Sequence, residues 1–277
     1  MRLFGAKLNL TAVIGLAIVG IYLIVVLLAP LIAPYGQENI TENAEPWIVD
    51  AQHWLGLDNL GRDIFSRLIF GTRLSVGLSL VMTVLAFLIG VTTGFAAAVG
   101  GGWLDTIFSR LVDLILSMPQ LIFALVILSV MGSSLAVLVP TIAILNSPIV
   151  FRLARAVAMN IVSLEFVEAA RVRGEGWWWI VSREILPNAL PPLVAEFGLR
   201  FCFTFLFIAS LSFLGLGVQP PYADLGGMVR DYAEMINYGV PEAPIYPAAT
   251  IAILTIGVNF IVDWTLAMHS KGHGEGA

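Results

Sequence analysis

Charged side chains are scarce in this sequence. Asp, Glu, Lys and Arg make up 12% of its 277 residues and hydrophobic residues make up 58%, whereas soluble domains carry about 25% charged residues. This deficit excludes an ordinary soluble domain and indicates a protein embedded in a membrane. No basic run that could bind nucleic acid is present. The expected surroundings are therefore a lipid bilayer and not a nucleic acid.

Residues that build catalytic and metal sites are also few. Cys202 is the only cysteine, which excludes an intrachain disulfide, and its apolar surroundings favour a buried, inert thiol. The only lysines, Lys7 and Lys271, lie outside any Gly-rich loop that could bind phosphate. His269 and His273, four residues apart in a Gly-rich tail, predict no metal site. No H-E-x-x-H or Gly-x-Ser-x-Gly motif occurs, so we expect no cofactor and no enzyme activity in this chain.

Long apolar runs are abundant. A helix needs about 20 apolar residues to cross a bilayer. The charge-free run from Leu114 to Phe151 is too long for one helix, and Gly132-Ser133-Ser134 predicts a turn inside it. The first run is longer than the core of a signal peptide, so we expect a span and not a cleaved leader. Six spans are predicted, near 10–32, 74–99, 104–130, 135–157, 191–217 and 247–268.

The distribution of Lys and Arg predicts the orientation. With the N-terminus inside, the inner segments hold nine of these residues and the outer segments four, so both termini are expected in the cytoplasm. The predicted organisation is a cytoplasmic N-terminus (1–9), a six-span domain (10–270) and a cytoplasmic tail (271–277). External loops are expected at 33–73 and 218–246, and a cytoplasmic loop at 158–190.

The loop at 158–190 predicts a short helix between two spans. Ser163 and Glu165 suit a helix start, and Gly174 can end the helix in a left-handed conformation. Ala169 and Ala170 give this helix a small face that another surface could approach closely. The tryptophans Trp177–Trp179 allow a second interpretation, in which the helix lies on lipid. Composition alone leaves these two interpretations open.

Polar residues within the spans are candidate functional positions. Glu196 and Arg200 have helical spacing and are expected to pair, either as a structural ion pair at an interface or as a lining of a solute path. Asn146, followed by Ser147-Pro148, is a further candidate for the path, and its helix is expected to bend at the proline. Met118-Pro119 predicts another bend, in span three.

Other charges are expected to be structural. Asp113 is predicted to pair with Arg110, three residues earlier, and Asp263 to have a partner near the inner end of span six. Asp63 and Arg67 would share one face of a helix, which predicts a solvated capping helix or a contact with an external protein.

The predicted cytoplasmic loop resembles the EAA motif of ABC importer permeases. The matching residues are Glu168-Ala169-Ala170, then Gly174, then Leu186-Pro187. Four other segments resemble the dipeptide/oligopeptide/nickel branch of that family. They are Gly61-Arg62-Asp63 with Ser66-Arg67, the Arg110…Asp113…Pro119 stretch of span three, and the stretches 186–191 and 210–221. The resemblance covers roughly residues 10–265. Glu184, Glu196 and Arg200 depart from the residues usual in the branch.

This resemblance implies a fold and a set of partners. The fold would be an all-α membrane protein with six transmembrane helices, the type I ABC importer permease (MetI-like) architecture, in the inner membrane. A second homologous permease subunit would complete the path, and a periplasmic binding protein would deliver the solute. Two ATP-binding subunits, which hold ATP and Mg, would dock on the loop at Glu168, Ala169, Ala170, Gly174, Leu186 and Pro187.

The resemblance leaves the solute open among peptides, nickel chelates, opines and related small molecules. Peptides are the leading expectation from the branch. A stand-alone secondary transporter or channel is the alternative function, and it would need an ion-coupling site or a pore-lining ring. An absolute dependence of transport on a partner ATPase would separate these two functions.

Overall fold

The computed structural model describes residues 2–3, 6–7, 9–41 and 46–272, and these are mostly helical. The side chains of His269 and His273, predicted to form no metal site, lie outside the described residues. A short antiparallel pair of strands, β1 (Arg2–Leu3) and β2 (Ala6–Lys7), precedes the first helix. The ten helices are α1 (Leu10–Ile32), α2 (Ile64–Gly100), α3 (Gly102–Leu116), α4 (Gln120–Met131), α5 (Leu135–Val162), α6 (Glu165–Val172), α7 (Trp177–Trp179), α8 (Leu186–Phe213), α9 (Leu225–Ala233) and α10 (Glu242–Gly272).

The six predicted spans are confirmed, with one of them broken. Within the described residues, five helical segments are long and apolar enough to cross a membrane, and α3 with α4 forms a sixth span bent by 84°. The bend falls at Ser117–Pro119, because Pro119 has no N–H to continue the α3 hydrogen bonds. The predicted bend at Met118-Pro119 is therefore confirmed, and it is sharp enough to divide the segment into two helices. Gly132, at φ +85°, ends α4 where the turn was predicted.

Helix α2 begins ten residues before the predicted span, at Ile64 and not at 74. Asp63 caps this start, since its side chain accepts a hydrogen bond from the Ser66 amide at 2.7 Å. Arg67 is buried in this extra segment and lies against Asp58, an ion pair that the apolar pattern could not show. The long α2 therefore carries the membrane span and a polar extension.

Helices α2 and α5 form the centre of the bundle. A Cβ atom added at Gly90 would lie 2.8 Å from the Ser147 carbonyl oxygen, and one at Gly94 would lie 2.9 Å from that of Phe151. Such close backbone approach through small residues is typical of helix pairs in membranes. A similar approach joins α1 to α10 through Gly15 and Gly257.

Two ion pairs join α3 to α5. Arg152 lies 2.7 Å from Asp113, and Arg155 donates to Asp105 at 2.6 Å. The predicted pairing of Asp113 with Arg110 is wrong, because Asp105 and Asp113 are eight residues apart and share the face of α3 that meets α5. Arg110 lies off that face and is exposed. These pairs hold the two helices together near the α6 end of the bundle, where α5 stops.

Candidate functional site: the α6 surface and the charges of the bundle

Helix α6 lies between α5 and α8, at one end of the bundle. Its inward face consists of Val167 and Ala170, which are both fully buried. Val167 packs in a cluster with residues of α5 and of the turn that follows α7, among them Ile161 and Ile180. The helix is thus seated on the ends of two spans, so a displacement of α6 must displace those spans with it.

The outward face of α6 is exposed and charged. Six residues of α6 are exposed, and we call four of them, Glu168, Ala169, Arg171 and Val172, the α6 surface. Within residues 46–272, neither Glu168 nor Arg171 has an ion pair. Ala170, predicted to contact an ATPase, lies on the opposite, buried face, and Ala169 alone presents a small side chain outward. This surface offers free charges of both signs. At Ala169 it also offers one position where another protein could approach the helix backbone closely.

Gly174 ends α6 in a Schellman motif. Its φ of +80° is in the left-handed region, as predicted. The Gly174 amide donates to the Arg171 carbonyl at 2.9 Å, and the Glu175 amide donates to the Ala170 carbonyl at 3.1 Å. These two bonds satisfy helix-end carbonyls and reverse the chain. Helix α6 begins at the predicted Glu165, but its cap position is Leu164 without a side-chain bond, because Ser163 instead ends α5.

The segment from Gly174 to α8 completes this end of the bundle. Trp177 and Trp178 are exposed, whereas Trp179 packs against the cluster that holds α6. A π-helical turn, Ile180–Ile185, then leads into α8, whose first residues are Leu186 and Pro187. Both of these are exposed. The predicted motif residues therefore lie at one end of the molecule, with Ala170 as the one that faces inward.

Glu196 and Arg200 form the predicted ion pair on α8. The Arg200 Nε atom lies 2.7 Å from the Glu196 carboxylate, and both side chains are largely buried. The guanidinium carbon also lies 4.7 Å from the centre of the Phe203 ring. Because each charge already has its partner, the geometry favours the structural role over solute contact. The path-lining role stays a prediction.

Asn146 is buried within the chain. Its side-chain amide donates to the Ile142 carbonyl at 3.0 Å, one turn back in α5. The neighbouring Ser147 hydroxyl donates to the Ile144 carbonyl at 2.9 Å, an acceptor that Pro148 leaves without its usual amide donor. These polar side chains satisfy the helix around the proline. A role for Asn146 on a solute path stays a prediction.

The other end of the bundle carries a buried polar network that the sequence did not reveal. We call this end, formed by the loops before α2 and α9, the loop end. Asp58 is fully buried and lies 2.7 Å from Arg62 and 3.6 Å from Arg67. Asp63 accepts the Ser66 amide and lies 3.1 Å from the His53 ring. The predicted solvated helix is therefore wrong here, because Asp63 and Arg67 are both buried.

The two loops of this end are joined through α2. Asp224 accepts the Ser75 hydroxyl at 2.8 Å and the Gly227 amide at 3.0 Å, and it caps α9. Burial raises the pKa of the Asp224 carboxyl above its ordinary value, against the opposing effect of these hydrogen bonds. Gln37 accepts the Ala223 amide at 3.1 Å. These partners are 149 and 186 residues apart in sequence, so no local pattern could have predicted them.

Asp263 is exposed on α10, and no ion pair to it occurs among the side chains of residues 9–41 and 46–268, so no partner is seen within those ranges. Within the same ranges, no group of three metal-ligating side chains is assembled. Cys202 is buried and free, as its apolar surroundings predicted.

The architecture defines a class: a multispan helical membrane protein with an exposed, firmly seated helix between its fourth and fifth spans. Comparison with known families identifies the member of this class. Residues 86–272 match the family described as the binding-protein-dependent transport system inner membrane component. Residues 7–47 match the N-terminal transmembrane domain of oligopeptide transport permease C. The chain belongs to the family of binding-protein-dependent ABC importer permeases, in its dipeptide/oligopeptide/nickel branch.

Individual relatives agree with this assignment. The chain is 34% identical to the dipeptide transport system permease protein DppC of Alkalihalophilus pseudofirmus, over 93% of this chain and 84% of the relative. It is 35% identical to the glutathione transport system permease protein GsiD of Pectobacterium atrosepticum, over 85% of this chain and 78% of the relative. The fold resembles a crystal structure of an amino acid ABC transporter, with a TM-score of 0.52, 23% identity and coverage of 72% of this chain and 92% of that one.

Proposed function

We propose that this chain is one permease subunit of an ATP-driven importer for peptides or closely related small solutes. Relatives over most of its length are named as permeases for dipeptides and for glutathione. Both solutes are peptides with free carboxylates, which supports peptides over nickel chelates or opines. The chain lies in the inner membrane with both termini in the cytoplasm, as the excess of Lys and Arg on the α6 side of the membrane favours.

The observation that carries this proposal is the α6 surface. Glu168 and Arg171 are exposed charges without partners in the described chain, on a helix held rigidly by the buried Val167 and Ala170. A rigid helix with free charges suits a contact with another protein that moves it as a unit. In this function, a cleft of each ATPase subunit receives a helix of this kind. ATP and Mg bind in the ATPase, and this chain performs no hydrolysis.

Three further partners follow from the same function. A second, homologous permease subunit forms the other half of the path, and a periplasmic binding protein delivers solute at the loop end. Two ATPase subunits dock at the α6 end. The buried network of the loop end suits a docking platform that keeps its shape, because Asp58 and Asp63 already have partners within the chain.

The test is ATP-driven uptake in proteoliposomes. The chain is reconstituted with its second permease subunit, its ATPase and its binding protein, and uptake of radiolabelled dialanine is measured. We expect uptake that requires ATP and stops when the ATPase is omitted. Uptake by the permease subunits alone, driven by an ion gradient, would instead establish the stand-alone secondary transporter.

A further inference from the structure

Arg73 stands at the boundary between the polar extension of α2 and its apolar part. It is the last charged residue before an uncharged run that continues to Leu104. It lies nine residues after Ile64, the start of α2, or roughly 13 Å along the helix. Arg73 is therefore the deepest of the loop-end arginines on this helix.

Arg73 also differs from the other arginines of the loop end in having no partner. Arg62 and Arg67 lie against Asp58, and Arg230 lies 2.9 Å from Asp231. Arg73 is exposed and has no ion pair or hydrogen bond from its side chain within residues 9–41 and 46–272. An arginine at the edge of an apolar span normally keeps its charge in water or beside an anion. The chain leaves this one cation available to an outside anion.

A cavity of about 460 Å³ opens beside Arg73. Gln37 and Tyr222, from the two external loops, line it together with residues of α2, which besides Arg73 are Phe70, Leu74, Gly77, Leu78 and Val81. No Asp or Glu is among the lining residues. The Gln37 side-chain oxygen is engaged by the Ala223 amide, which leaves its amino group as a donor. The cavity thus combines one cation with two neutral side chains that can donate hydrogen bonds.

The volume and the lining residues of this cavity indicate the kind of ligand. Its volume falls within the range of small-molecule sites, about 300–1,000 Å³, and exceeds the room that one small ion needs. Gly77 leaves space beside the guanidinium, since a Cβ atom there would meet nothing within 4 Å. Three potential hydrogen-bond donors, Arg73, Gln37 and Tyr222, line this one cavity, which suits a soluble ligand that carries a carboxylate.

We propose that Arg73, with Gln37 and Tyr222, forms a site for the free carboxylate of the transported solute at the entrance of the path. The proposal rests on the proposed function and specifies its selectivity: solutes that carry a carboxylate are drawn in, and amidated ones are not. Glu196 and Arg200 are paired with each other, so neither offers this carboxylate a free charge.

The test uses Gly77→Cys as a reporter in the assembled complex. Gly77 lies one turn from Arg73 and tolerates a side chain, while the native Cys202 is buried. Labelling rates are measured with an anionic, sulfonate-bearing thiosulfonate reagent and with a cationic, trimethylammonium-bearing one. Each rate is divided by the rate with a free thiol in solution.

We expect a preference for the anionic reagent, which Arg73→Gln reduces by roughly three- to tenfold. Dialanine should slow the anionic labelling more than its C-terminal amide does.

The outcomes separate the possible occupants. Absence of labelling, or a preference that Arg73→Gln leaves unchanged, would overturn the site. A preference that disappears when phosphatidylglycerol is added to phosphatidylcholine would assign Arg73 to lipid headgroups. Loss of the second permease subunit from purified Arg73→Gln complexes would assign the anion to that subunit. If the anionic preference persists but the native complex takes up no dialanine, the carboxylate site stands and the proposed peptide function fails.

Discussion

The two ends of this molecule differ in whether their charged side chains are buried in pairs or exposed without a partner. At the loop end, Asp58, Arg62 and Arg67 form a buried cluster, and Asp224 is buried against Ser75. At the α6 end, Glu168 and Arg171 are exposed and have no ion pair within residues 46–272. The loop end pairs these buried charges within the chain, with the exposed Arg73 as an exception, while the α6 surface leaves its charges for another molecule.

This difference indicates where the chain must keep its shape and where it must be recognised. A buried ion pair fixes a geometry, because removal of one partner leaves an uncompensated charge. Exposed charges cost little in an isolated chain and become useful when a complementary surface covers them. The contrast can be tested by substitutions at each end, from the largest expected effect to the smallest.

The largest effect is expected at Asp58. Asp58→Ala leaves Arg62 and Arg67 at the buried cluster without their carboxylate, which typically costs about 3–5 kcal/mol. We expect a clear loss of thermal stability and rapid proteolysis of the loop between α1 and α2. Asp231→Ala, which removes an exposed ion pair with Arg230, is the matched control and should have little effect. Equal stability of the two variants would contradict the buried cluster.

The next effect is expected at Gly174. A β-branched residue in the left-handed conformation of Gly174 (φ +80°) is strained, by about 1–2 kcal/mol. We expect Gly174→Val to misplace the end of α6 and to reduce transport-coupled ATP hydrolysis in the complex, with the fold retained. Gly176→Ala serves as the control, because Gly176 has φ −70° and open space around it. Normal coupling of ATP hydrolysis to transport in Gly174→Val would argue against α6 as the helix that transmits the ATPase motion to the spans.

A smaller effect concerns the pH dependence of the loop end. Burial raises the pKa of Asp224 in the folded chain, so the folded state binds the proton more tightly than the unfolded state does. Stability of the loop end should therefore be highest in acid and fall as pH rises from the ordinary carboxyl pKa towards the raised one. Asp224→Asn should remove this slope in a melting-temperature series. A slope that persists in Asp224→Asn belongs to another group.

The smallest effect is expected at the ion pair of Arg152 and Asp113, whose side chains are more than half exposed. Such pairs contribute about 0–1 kcal/mol. Arg152→Ala should leave the melting temperature nearly unchanged, whereas Arg155→Ala, at the less exposed pair with Asp105, should lower it more. The reverse order would show that exposure does not govern these two contacts.

The sequence predicts well whatever depends on local pattern. Apolar length located the six spans, and the Glu-Ala-Ala to Gly174 spacing located α6 and its left-handed end. Helical spacing also predicted the pair of Glu196 with Arg200. These features depend on neighbours within about two turns, and such neighbours are visible in a single sequence.

Contacts between distant segments escaped prediction. Asp113 pairs with Arg152, 39 residues away, and not with the nearby Arg110. The inward orientation of Ala170 depends on how α6 is seated on α5, which the motif itself does not encode. The burial of Asp63 and Arg67 depends on loops that fold over them. Each of these outcomes was decided by tertiary packing.

The most direct test is the accessibility of the α6 surface. Ala169→Cys places an exposed thiol beside Glu168, in a chain whose native Cys202 is buried. We expect a water-soluble maleimide to label this thiol quickly in the permease subunits alone and slowly once the ATPase is bound. Equally fast labelling in the complete complex would mean that no partner covers α6. The ATPase would then have to act on another part of this protein.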